Sequence, residues 1–90
     1  MPISFSQLGI LDQVPSKVHL DMGGISVLEC LRFIEKVYST SLDQVIQEGE
    51  VLNRQLVVLI NGVSIDKSEG LDTIVKDGDK VLLAGMVSGG

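Results

Sequence analysis

Ninety residues, 44% of them hydrophobic and 21% charged, describe one small globular domain, too short for a second module and too apolar for disorder. Twelve acidic against seven basic residues give a net charge of -5, and only 3% of the chain is aromatic, which excludes the cationic grooves and stacking platforms of nucleic-acid binders. That acidity suits a protein partner with a basic docking surface, while a lone Cys30 cannot close an internal disulfide.

In chain order, Ile3 and Phe5 alternate with Ser4 and Ser6. After a turn around Asp12 to Pro15, Val18, Leu20 and Met22 alternate with Lys17, His19 and Asp21. This period of two predicts two strands, paired as a hairpin. Gly23-Gly24 ends the second strand, and Ser26 followed by Glu29 has the spacing of a capping box that opens a helix. Along that helix Val27, Cys30, Leu31, Ile34, Val37 and Tyr38 recur at steps of three and four, which predicts one buried face. Ser39-Thr40-Ser41 breaks the pattern, and Leu42 to Gln47 reads as a further short turn of helix.

Leu56 to Ile60 is a run of five apolar residues, read as a strand buried on both faces or nearly so. Asn61-Gly62 after it tolerates positive φ at both positions and predicts a tight hairpin, with Val63 to Asp66 as the return strand. A loop through Ser68-Glu69-Gly70 follows, then a turn at Lys76-Asp77-Gly78-Asp79 and a last strand from Lys80 to Ala84 or beyond. The elements predict an α+β fold of two layers, a sheet of four to five strands with one main helix on one face. Residues 1–86 form the domain and 87–90 a flexible Gly-Gly tail. The sheet's other face then either stands open as an apolar patch of the kind that marks an interface, or is covered by residues 39–55.

The chain holds no Cys-x-x-Cys, no His-Glu-x-x-His, no phosphate-binding glycine loop and no nucleophile elbow. His19, on the polar side of its strand, reads as a solvated surface residue, and Cys30, on the apolar helix face, as a small core hydrophobe. Asp77 and Asp79 around Gly78 are explained by turn chemistry. An acyl-carrier serine at Ser41-Leu42 fails, because the preceding Asp is absent and the strands contradict an all-helical carrier. The terminal glycines contribute nothing to packing, yet a chain end without side chains fits a narrow channel and delivers its carboxylate into another protein's site. The N-terminus lacks the basic flank and apolar stretch of a signal peptide, and the longest apolar run is far short of a membrane span, so a cytoplasmic, non-membrane protein is expected.

Taken in order and spacing, Ile60-Asn61-Gly62, then Leu71 to Val81 with its Asp77-Gly78-Asp79 turn, then Val87-Ser88-Gly89-Gly90, resemble the C-terminal half of the MoaD/ThiS sulfur carriers. Residues 25 to 31 resemble the start of that family's first helix, with Ser26 where a Thr is usual. The resemblance implies the ubiquitin-like β-grasp fold, with first and last strands side by side and parallel. It also implies that Gly90 carries the chemistry, adenylated and then converted to a thiocarboxylate, while Gly89 keeps the tail slim and flexible. The implied partners are an E1-like adenylyltransferase of the MoeB/ThiF type, using ATP and zinc-bearing, and a sulfur-accepting enzyme such as the molybdopterin synthase large subunit or thiazole synthase. No cofactor belongs to this chain, which is no catalyst alone but fits the small subunit of molybdopterin synthase. Val87-Ser88 leans toward that branch, whereas Gly85-Met86 stand where its members commonly carry Pro-Pro. Carriers for thiamine, amino-acid or siderophore pathways are alternatives, as is a ubiquitin-like modifier conjugated to lysines.

Overall fold

The computed structural model describes residues 2–65 and 70–85. The chain runs β1 (Ile3–Gln7), β2 (Lys17–Leu20), β3 (Ile25–Ser26), α1 (Val27–Tyr38), β4 (Ile46–Gln47), β5 (Val51–Leu52), β6 (Leu56–Ile60), β7 (Val63–Ser64), a 3-10 turn at Gly70–Asp72, β8 (Ile74–Val75) and β9 (Lys80–Gly85). Five strands form a mixed sheet in the order β2-β1-β9-β6-β7. β1 and β9 lie parallel, Phe5 opposite Val81, and every other pairing is antiparallel. This is the predicted α+β architecture.

Local chemistry sets the element ends. Ser26 Oγ accepts from Glu29 N at 3.1 Å and Ser26 N donates to Glu29 Oε1 at 3.0 Å, so the capping box is formed from both sides. Ser39, in the left-handed region at φ 53, closes the helix. Asn61 and Gly62 take φ 52 and 85, the two positive values that a tight hairpin turn needs. The return strand is Val63–Ser64, with Ile65 N still bonded to Val58 O at 3.0 Å, and Asp66 lies outside the described residues.

One apolar core lies between α1 and the sheet. Ile3, Phe5, Val27, Cys30, Leu31, Ile34, Val58 and Leu83 are essentially inaccessible, and large side chains buried this fully contribute about 1.5–3 kcal/mol each. Val37, expected on the buried helix face, is 53% exposed. At about 100° per residue it stands roughly 90° from the centre of the Val27-Leu31-Ile34 stripe, beside Phe33, and the turn toward Tyr38 carries the stripe away from it.

Two further corrections concern the middle of the chain and the last strands. Val45 N and Ile46 N both donate to Leu42 O, at 2.9 and 2.8 Å, which makes one tight turn and no helix. The chain then enters a miniature hairpin, β4 against β5, reversed by Gly49 and Glu50 at φ 85 and 57. Leu42, Val45 and Leu52 from this segment join the common core, and β5 packs beside the Gly70–Asp72 turn that also touches α1. Residues 39–55 therefore build on the helix side, and among the described residues the opposite sheet face stays open. On that face Val57 and Leu59 are half-buried, so β6 is fully covered on one side only. A short antiparallel pair, β3 with β8, ties the helix start to residues 74–75.

Candidate functional site

The two residues expected to carry the chemistry, Gly89 and Gly90, lie outside the described residues, as does the rest of 87–90. What the structure does place is the root of that tail. β9 is the middle strand of the five, held on both sides by β1 and β6, and it ends at Gly85 opposite Leu56. Beside that end the chain leaves β1: Leu8 N donates to Leu83 O at 3.1 Å, and Leu8 itself is 66% exposed.

A single buried side chain organises the loop that follows. Gln7 is 3% exposed, and its amide nitrogen donates to Leu11 O at 2.9 Å and Val14 O at 2.8 Å. Its amide oxygen accepts from Ile10 N at 2.9 Å and from Leu11 N. Four backbone groups of a loop without secondary structure are thus satisfied by one carboxamide. Nothing in the sequence marks this residue, because alternation predicts only that position 7 faces the core, where a Gln breaks the apolar pattern.

The far end of β9 is fixed by a second polar cluster. Asn61 Nδ2 donates to Asp79 Oδ1 at 3.0 Å, Lys76 N donates to Asp79 Oδ2 at 2.9 Å, and Lys80 N donates to Asn61 Oδ1 at 3.0 Å. The Asn61-Gly62 hairpin is therefore bonded to the Asp77-Gly78-Asp79 turn, which gives Asp79 a structural task. The backbone N–H of Lys76, then the Asn61 amide, hold the Asp79 carboxyl below its usual range. A carboxylate with a depressed folded-state value contributes stability above its unfolded value, near 3.9, and loses it as pH falls through the folded value. Asp79→Ala is accordingly expected to lower the urea midpoint at neutral pH, with the gap to the unaltered protein closing in acid below the carboxylate range. A gap of constant size across that range would assign the loss to something other than charge.

Cys30 is fully buried and burial pushes its thiol up to about 12, so it is held as the protonated core residue expected of it. His19 is exposed on the open sheet face. That face carries Ser4, Ser6, Lys17, His19, Val57, Leu59, Lys80 and Leu82, the strand positions alternating with the core. Leu82 lies between Ser6 and Leu59 across the strands, in a shallow hollow of about 540 Å³ that Asn61 and Lys80 border. Among the described residues no helix is long and apolar enough to cross a membrane.

One helix on a five-stranded mixed sheet, with parallel first and last strands and the chain end leaving from the middle strand, defines a ubiquitin-like β-grasp protein. The ThiS family model matches residues 5–90, and the chain belongs to this family of ubiquitin-like sulfur carrier proteins. It is 23% identical over 73 residues, 81% of this chain and 83% of the other, to a provisionally named sulfur carrier protein of Archaeoglobus fulgidus. Its fold is similar to that of SAMP1 from Haloferax volcanii, with TM-score 0.72, 22% identity and 100% of both chains covered. It also resembles a chain of the Amycolatopsis orientalis BexX/CysO complex, with TM-score 0.73, 26% identity and 98% and 99% covered. Urm1 from Trypanosoma brucei gives TM-score 0.74 at 22% identity, over 99% of this chain and 95% of that one.

Proposed function

We propose that this protein carries sulfur as a thiocarboxylate on Gly90 and works by presenting that group to other enzymes. The observation that carries the reading is the extent of the family match, which runs through the terminal Gly-Gly to residue 90. A carboxylate oxygen is a poor leaving group. An E1-like activating enzyme overcomes this by letting the Gly90 carboxylate attack the α-phosphorus of ATP, with pyrophosphate departing, to give an acyl adenylate. A sulfide-level nucleophile then attacks the acyl carbon, AMP leaves, and the product is a thiocarboxylate whose sulfur is itself a nucleophile. The described part of the chain supports this division of labour: it supplies a rigid body with a central strand running to the tail, and its polar clusters are committed to holding turns.

The recipient of the sulfur is proposed to be a molybdopterin synthase large subunit, on the strength of Val87-Ser88 before Gly89-Gly90. A thiazole synthase is the competing recipient. Incubation with the host's activating enzyme, ATP and sulfide is expected to raise the intact mass by the difference between sulfur and oxygen. Adding each recipient enzyme with its own substrate then identifies the one that returns the mass to its starting value. Failure to gain the mass under conditions that convert an established carrier would overturn the reading, and lysine conjugates would then be sought.

A further inference from the structure

The sheet has two outer strands, β2 and β7, and β2 is the longer. Its backbone parity is set by β1. Gln7 N donates to Ser16 O at 3.0 Å, while Ser4 N and Leu8 N turn the other way, to Asp79 O and Leu83 O. Phe5 with Val18 and Ile3 with Leu20 are therefore the pairs that exchange hydrogen bonds. The N–H and C=O groups of Lys17 and His19 point away from β1, to a side where no described strand lies.

The helix leaves an apolar rim beside this edge. β2 and β6 run parallel, since β2 is antiparallel to β1, β1 parallel to β9 and β9 antiparallel to β6. A parallel crossover through a helix is right-handed, which turns the flank of α1 that holds Phe33 and Val37 toward β2 and the flank that holds Leu28 and Glu35 toward β6. Leu28 and Val37 stand about 90° to either side of the buried stripe, yet their surroundings differ. Leu28 packs against the core, whereas Val37 is 53% and Phe33 38% exposed. In β2, Val18 and Leu20 are buried, and Met22, next in the same alternation, is half-buried. An open strand edge and an uncovered apolar rim thus run side by side, separated from β9 and its tail by β1.

We propose that this edge captures an extended segment of another protein, added as a further strand beside β2, with apolar side chains at alternate positions and acidic ones between them. The outward backbone groups of Lys17 and His19 supply the ladder, and strand alternation dictates the rest. Side chains of the added strand that point to the helix side meet the rim of Phe33, Val37 and Met22. Those that point the other way lie beside Lys17 and His19, both exposed, and opposite charges on neighbouring strands attract. Lys17 forms no ion pair among the described residues, so its charge is available to a partner. Asp21 stands one step further along the same side, which confines the acidic preference to the positions beside Lys17 and His19. A second copy of the chain is a poor occupant. β2 against β2 sets the two Lys17 side chains on one face, the like-charge opposition by which edge strands avoid self-pairing. The proposal makes no use of Gly90 and stands independently of the carrier reading.

The test is an NMR titration of the full chain with a synthetic peptide whose core is Glu-Val-Glu-Ile-Glu-Val-Glu, beside a second peptide with Lys at every Glu. The acidic peptide is expected to shift the amide signals of Lys17 and His19 and to slow their hydrogen exchange about tenfold at saturation. The lysine peptide should bind at least about tenfold more weakly, and Lys17→Glu should narrow or reverse that preference. Val37→Lys, a change at an exposed position, is expected to weaken the acidic peptide about tenfold, because it removes apolar area that the peptide buries. His19→Pro deletes one outward N–H without touching the β1 ladder and should weaken binding to a similar extent. Val63→Lys, on the opposite outer strand, should stay within about twofold of the unaltered protein. Thermal melts confirm that each variant is folded. Equal binding of the two peptides, shifts confined to residues away from β2 and α1, or no binding at millimolar peptide would overturn the proposal. So would a dimer in sedimentation that Lys17→Glu strengthens, which would give the edge to a second copy.

Discussion

Gln7→Leu is expected to lower stability by about 3 kcal/mol, a large share of the 5–15 kcal/mol typical of a domain. The replacement is similar in size and apolar, so the buried position is filled while the hydrogen bonds are lost. Two N–H groups, of Ile10 and Leu11, and two carbonyls, of Leu11 and Val14, lose their partner together. Each buried group left unsatisfied costs about 1–3 kcal/mol, and the part-buried position of Ile10 lets water recover some of that. Urea denaturation followed by circular dichroism reads the change directly. Gln7→Glu is a useful companion. At neutral pH its carboxylate aims acceptors at the Leu11 and Val14 carbonyls, and destabilisation should ease as acid restores a proton to donate. A loss below about 1 kcal/mol for Gln7→Leu would mean that the loop is satisfied by solvent and that the carboxamide is incidental.

The elements that were legible in the sequence are those written in local chemistry. Ser26 and Glu29 announce a helix start because the capping box needs only two residues three apart, and Asn61-Gly62 announces a hairpin because few other pairs accept two positive φ values. Alternation in β1 and β2 separates core from surface without knowledge of their partners. The middle of the chain resisted for the converse reason. Leu42, Val45 and Leu52 reach the core from a tight turn and two-residue strands, too short to establish any period, so the apolar residues there fit a helix turn equally well on paper. Val37, a step of three from Ile34, keeps the helical rhythm while drifting off the stripe, so spacing alone puts it on the buried face. The resemblance located the tail, but it could not reveal what surrounds the tail's root.

Register is the information that sequence withholds. Lys17 and His19 in β2 read as ordinary solvent-facing residues, and Lys80 as the polar start of a strand. Only the parallel pairing of β1 with β9 places all three on one face, next to Leu82 and Leu59. The same pairing puts β9 in the centre of the sheet, held by β1 as far as Leu83 and by β6 to Gly85. A carrier that must deliver one carboxylate into another protein's site gains from such an anchor, because docking of the body then sets where the tail begins.

That geometry makes the length of the tail a sharp variable. Appending one alanine after Gly90 keeps a terminal carboxylate and keeps the folded body, but moves the reacting group by about 3.5 Å along an extended chain. Nucleophilic attack on the α-phosphorus requires the carboxylate oxygen in near-attack position, and a misplacement of about 1 Å is enough to cost about a hundredfold. The extended protein is therefore expected to load sulfur at least about a hundredfold more slowly, at unchanged affinity for the activating enzyme and unchanged thermal stability. Deleting Gly90 shifts the carboxylate the opposite way and should be equally impaired. Intact mass recorded through the reaction distinguishes slow loading from removal of the added residue by a contaminating protease, which would appear as a loss of alanine before any gain of sulfur. Loading of the extended chain within about threefold of the natural one, with the alanine still attached, would show that the activating enzyme does not read the tail from a fixed root, and would leave Gly90 without the role proposed for it.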